Sequence, residues 1–155
     1  MAHDIPALLR DLQNADENIR QVATEALWRH WYTQKGALGA QILVRSQTLL
    51  DKGDWGDAEA LLTETIQDLP DFAEAWNRRA VLYYMQKRYW QAIADCDKVL
   101  DLVPYHFGAL HGLGLCHLGL GNYLAAIQAF RRALEVQPFA TINERLILEC
   151  TAKLN

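Results

Sequence analysis

The sequence has no run of about 18 apolar residues, so no segment of it predicts a membrane-spanning helix. The opening stretch, Met1 to Pro6, lacks a charged region followed by an apolar one and does not read as an export signal. A cytoplasmic chain is the expectation. Positive charge is not in excess: 15 Lys and Arg stand against 19 Asp and Glu, for a net charge of −4. The basic stripe of a nucleic-acid binder is therefore missing. The local pairs Arg78/Arg79, Lys87/Arg88 and Arg131/Arg132 have acids close by and read as solvated helix faces. Cysteine is scarce and odd in number. Cys96, Cys116 and Cys150 sit inside apolar patterns, which excludes a disulfide framework and predicts buried thiols in a reducing compartment.

Catalytic and metal-binding patterns are missing too. The histidines are His3, His30, His106, His111 and His117, with no His-x3-His pair to set two imidazoles on one helical face, and no Cys-x2-Cys occurs. Cys116 and His117 are adjacent, but neighbours in a helix do not face each other. Glycines crowd residues 108–121 without forming a phosphate-cradling loop ahead of a Lys-Ser/Thr pair. No enzyme activity, cofactor or metal is expected.

What the chain does have is a period. Pro70, Pro104 and Pro138 are spaced by 34 residues. Ala58, Ala92 and Ala126 keep the same spacing, as do Trp55, Tyr89 and Tyr123, and Ser46, Ala80 and Gly114. Such self-similarity marks a stack of small units. Each unit reads as two helices. The small residue of the first lets a neighbour approach, a Gly-x-aromatic turn follows, as in Gly121-Asn122-Tyr123, and proline stops the second. The turn glycine is replaced by Lys87 in the middle unit. The pattern predicts first helices near 40–52, 74–86 and 108–120, and second helices near 56–69, 90–103 and 124–137. A last helix near 141–153 sets Ile142, Leu146, Cys150 and Leu154 on one face.

This pattern resembles the tetratricopeptide family. The middle unit carries Trp76, Ala80, Tyr83, Ala92, Cys96, Val99 and Pro104 at signature positions, and the third Leu110, Gly114, Ala126, Phe130, Ala133 and Pro138. The first fits through Ile42, Ser46, Leu49, Ala58, Leu62 and Pro70, with Thr65 as a departure. The resemblance implies an all-α fold, a right-handed superhelix of antiparallel helix pairs. Repeats are expected at 39–72, 73–106 and 107–140, with a capping helix at 141–155. Residues 1–36 fall outside the register. Pro6 opens a short helix, and Asp16 caps a longer one over about 17–34. Ile19, Arg20, Ala23, Ala26 and Leu27 give it a likeness to the second helix of a HEAT-type repeat. The pair is expected to cover the open end of the first repeat, or to offer a second docking surface at Trp28, Trp31 and Tyr32. The segments 72–80 and 107–114 are similar to small repeat proteins of cyanobacteria and plastids, which implies a part in assembling a photosynthetic complex.

The resemblance also implies that the first helices line a concave groove. A 4-then-3 spacing selects Leu43, Gln47 and Leu50; Asn77, Val81 and Tyr84; and His111, Leu115 and Leu118 as its lining. Arg78 adjoins this face, and Arg145 is expected to close the far end. An exposed apolar strip of this size predicts a partner, a protein or peptide. Family members that grip heat-shock tails use a clamp of lysine, asparagine and arginine. Here the corresponding positions hold Leu43, Gln47, Arg78, Gly108 and Gly112, so Hsp70 or Hsp90 tails are not expected as ligands. Gly108, Gly112, Leu115 and Gly119 form a stripe toward the groove. Gly112 and Gly119 have no packing role by register, so the stripe is expected to be a bare floor for a partner backbone. The leading expectation is a non-enzymatic protein-binding scaffold. The alternatives are a self-associating module, hence a homo-oligomer, and an accessory subunit of an enzyme.

Overall fold

The computed structural model describes residues 4–155. Met1–His3, with His3 and half of the stretch that was read for an export signal, lie outside the described residues. The described residues form nine helices and no strand. They are α1 (Ile5–Asp11), α2 (Glu17–Tyr32), α3 (Gly36–Asp51), α4 (Trp55–Asp68), α5 (Ala73–Met85), α6 (Tyr89–Leu102), α7 (Phe107–Gly119), α8 (Tyr123–Val136) and α9 (Thr141–Leu154). Among the described residues, no helix is long and apolar enough to cross a membrane.

The helices α3–α8 are the three expected pairs. The alanine column, Ala58, Ala92 and Ala126, is fully buried in all three second helices, where backbones approach most closely. Gly114 does the same in α7: a Cβ there would overlap the ring of Phe130, itself fully buried. The turns between paired helices use a left-handed residue, Gly53 (φ 81°) and Gly121 (φ 75°). Lys87 holds that conformation at φ 59° without being glycine. Its Cβ crowds the following carbonyl, so Lys87→Gly should raise stability by about 1 kcal/mol, read as a higher melting temperature.

A largely buried ion pair joins α5 to α6 and reaches the preceding pair of helices. Arg79 on α5 holds the Asp95 carboxylate on α6 with two N–H donors at 2.8 Å each, and reaches Thr63 on α4 at 3.2 Å. Burial pushes the Asp95 carboxyl up, and the Arg79 guanidinium works against that shift. At the far end α9 packs its Leu146 and Cys150 against Ala126, Ile127 and Phe130, which completes the cap.

The amino-terminal pair is not placed as a cap on the first repeat alone, and that expectation is corrected: only Tyr32, at the end of α2, packs on the cluster of Leu43 and Phe72. The α2 helix lies along the loops that join one repeat to the next. Its buried stripe of Ala23, Leu27 and Trp31, with Leu12, packs on Phe107, Val103, Tyr105 and Val136. Near its start, Arg20 stacks over Phe139 at 4.1 Å. Just before it, Gln13 donates to the carbonyls of Glu135 and Val136 at 3.1 Å. Just after it, Gln34 donates to the Asp71 carbonyl, and Lys35 pairs with the Asp71 carboxylate at 2.8 Å. The α2 helix and the residues that flank it thus touch the joints at 71, at 103–107 and at 135–139. The docking surface expected around the tryptophans is also corrected: Trp31 is only 2% exposed, and Trp28 and Tyr32 are half-buried by the repeats. The physical reason is the apolar character of the joint Val103–Phe107, against which the buried stripe of α2 packs.

Candidate functional site: the concave face of α5 and α7

A cavity of about 200 Å³ opens between α5, α6 and α7. Its walls include Asn77, Val81 and Tyr84 from α5, and Gly108, His111, Gly112 and Leu115 from α7, all read from the sequence as groove residues. Ala80, Cys96 and Cys116 complete the lining and were not among them. These three occupy core positions of the repeat pattern, and only the missing side chain at Gly112 leaves them bordering a space.

A buried polar cluster sets the wall. Glu74, in the first turn of α5, is fully buried. Its Oε1 accepts from His106 Nε2–H at 2.8 Å and from Asn77 Nδ2–H at 3.1 Å. The His106 ring caps α7: its Nδ1 accepts the Ala109 N–H at 3.0 Å, which leaves Nε2 as the protonated nitrogen. Asn77 is thereby held in one orientation at the cavity wall. Arg78 lies 3.5 Å from the other Glu74 oxygen, donates to Gln47 at 2.6 Å and sits over the Tyr32 ring. Burial pulls its guanidinium below its ordinary value. His111 is held from the far side by Asn143 of α9, Nδ1 to Oδ1 at 2.8 Å.

Several expected groove residues are elsewhere. Leu43 is fully buried against Ile66, Phe72 and Ala75, because α5 crosses α3 there. Leu50 is buried with Ala58 and Leu82. Leu118 packs against the cluster under α9 rather than into the cavity. Gln47 is exposed but occupied, donating to Asp51 while accepting from Arg78. Arg145 is exposed and outside the lining; Asn143 is the α9 residue that reaches the site. The apolar strip therefore contracts to one pocket around Val81, Tyr84 and Leu115.

The glycine floor is corrected as well. A Cβ at Gly119 would come within 2.6 Å of the Tyr89 ring, and one at Gly108 within 2.7 Å of Trp28. Both glycines make room for aromatic rings of the same chain. Of the three, only Gly112 has room for a Cβ, which would make ordinary van der Waals contact with Cys96 Sγ at 3.7 Å.

Helix pairs repeating every 34 residues, stacked so that the first helices form one wall, define a repeat solenoid. The tetratricopeptide repeat family model matches residues 71–138, the segment that holds this cavity. A repeat-containing protein of Rhizobium etli is 39% identical over 77 residues, which are half of this chain and 38% of that protein. The mouse DnaJ homolog subfamily C member 7 is 33% identical over 85 residues, 55% of this chain and 17% of its own length. The chain thus spans well under half the length of these relatives. Among solved structures, the first TPR of Spaghetti (RPAP3) bound to an HSP90 peptide superposes with a TM-score of 0.71 at 18% identity, over 74% of this chain and 91% of that one. A complex of the TPR2B domain of yeast Sti1 with an Hsp70 peptide gives 0.67 at 21%, over 74% and 96%. At such identities the likeness is one of fold. Residues 71–138 carry tetratricopeptide repeats, and the chain has the all-α fold of tetratricopeptide solenoids, a fold of protein-interaction modules.

Proposed function

We propose that this chain is a non-enzymatic scaffold that takes a peptide or helix of a partner across α5 and α7 and anchors one large apolar side chain in the cavity. The observation behind this is the pairing of an apolar recess, walled by Val81, Tyr84 and Leu115, with polar groups at its edge. Asn77 and His111 are held from behind by Glu74 and Asn143, so they meet a partner backbone already oriented. A few placed polar groups around an apolar pocket give direction to a ligand that the pocket alone would hold loosely. The volume suits one leucine, methionine or phenylalanine side chain.

The expectation against chaperone tails gains no support. Two of the similar solved domains hold such peptides, and Asn77 and Arg78 stand on this wall. These tails belong among the probes. The narrower reading, an assembly factor for a photosynthetic complex, has only the two sequence segments behind it, and the proposal stops at a protein-binding module.

A displayed peptide library, selected on the immobilised chain and counter-selected on Gly112→Leu, tests the proposal. The added side chain fills the cavity without meeting the backbone, and a helical glycine is lost, so stability should hold or rise by about 0.5–1 kcal/mol. Peptides captured by the native chain should share one large apolar residue and lose at least tenfold in affinity on Gly112→Leu. If every captured peptide binds both forms equally, the cavity is not the site. Gly119→Leu gives the opposite result for stability. It must displace the Tyr89 ring from its contact with Tyr84, at a cost of about 1–3 kcal/mol in chemical denaturation.

A further inference from the structure

Two cysteines stand at the base of the same cavity. Cys96 on α6 and Cys116 on α7 are 2% and 1% exposed, line the cavity together and share one core cluster. The Cys96 sulfur lies over α7 beside Gly112, one helical turn before Cys116. Without a side chain at 112, that corner stays open to the cavity. Each thiol is the other's strongest influence: the neighbouring Cys96 draws Cys116 below the ordinary thiol value, while Cys116 and burial push Cys96 up. Cys150 is as deeply buried, but it lies with Ala126, Phe130 and Leu146, away from the cavity.

We propose that Cys96 and Cys116 are a peroxide-oxidisable dithiol that closes to a disulfide joining the second repeat to the third. The Cys116 thiolate attacks one peroxide oxygen. The O–O bond breaks, hydroxide leaves and is protonated to water, and Cys116 becomes a sulfenic acid. The Cys96 thiol then attacks that sulfur, the S–O bond breaks, and the oxygen departs with the Cys96 proton as a second water. Two thiols lose two electrons, and one peroxide becomes two waters. The cavity admits a molecule as small as hydrogen peroxide to both sulfurs. The chemistry does not depend on what partner the cavity binds.

The test uses the full native chain. It is treated with hydrogen peroxide under folded conditions, alkylated in denaturant and mapped by mass spectrometry without reduction. A Cys96–Cys116 cross-link is expected, with an intact mass lower by about 2 Da before alkylation and full reversal by dithiothreitol. It should form at exposures that leave Cys150 alkylated. Cys96→Ser should halt Cys116 at a sulfenic acid that dimedone traps, whereas Cys116→Ser should leave Cys96 a free thiol. The proposal is overturned if all three cysteines oxidise at one rate, since that marks access through unfolding. Links between chains, or Cys116 passing to higher acids with Cys96 still free, overturn it equally. The native map decides even if a serine variant fails to fold.

Discussion

Trp31→Ala should lower the unfolding free energy by about 3–5 kcal/mol, the range for deleting a buried aromatic side chain. Trp31 is one of the largest fully enclosed side chains of the chain. Its ring stacks on His106 at 4.0 Å, meets the Trp28 ring edge-on at 5.1 Å and packs on Phe107 at 5.0 Å. These contacts are the middle attachment of α2 to the repeats, so the loss has no local route to relaxation. Urea denaturation followed by far-ultraviolet circular dichroism measures it. A loss under about 1 kcal/mol would mean that α2 is not docked as described.

The second large effect concerns the buried pair behind the cavity. His106→Ala should cost about 3–5 kcal/mol, because it strips a fully buried carboxylate of its closest donor. The same change removes the cap on Ala109 N–H, which alone contributes about 1 kcal/mol. Replacing both partners, as in Glu74→Met with His106→Leu, should recover part of the loss, since no buried carboxylate is left without its donor, while the Ala109 N–H stays uncapped. The double variant also frees Asn77, so ligand affinity should stay low while stability returns. Denaturation curves and binding titrations on the same samples separate the two. A double variant less stable than His106→Ala would show that the pair contributes more than its own charge balance.

Much of the helical frame was legible. The predicted second helices begin one residue late, since the aromatics Trp55, Tyr89 and Tyr123 are the first helical residues rather than turn residues. The period of 34 works because it registers a contact made in every unit, such as alanine against a neighbouring backbone. The docking of α2 happens once, so no period records it. A signal was present in the joint Val103–Phe107, which is more apolar and aromatic than a solvent-facing loop needs to be. At the site, Asn77, Val81 and Tyr84 of α5 and Gly108, His111, Gly112 and Leu115 of α7 line one cavity, while register alone placed Leu43 and Leu50 beside them. Register gives a direction around a helix axis; what stands opposite depends on the crossing of the next helix. Gly108 and Gly119 carry the same lesson, because the rings that fill their space come from residues 80 and 30 positions away in the chain.

A stack of repeats that touch only their neighbours loses its units piecemeal, from the ends inward, and each junction can flex independently. Here α2, with the residues that flank it, reaches from the joint at 71 to the joint near 139 and makes contacts far apart in sequence. Fraying of one repeat is then coupled to the loss of contacts at the others. The chain should melt in a single all-or-none transition, and it should fold more slowly than a repeat array of its size, since closing the α2 contacts spans most of the chain. The same helix sets Trp28 against Gly108 on the cavity wall, so the cavity should behave as a fixed mould rather than a surface that adapts to each ligand.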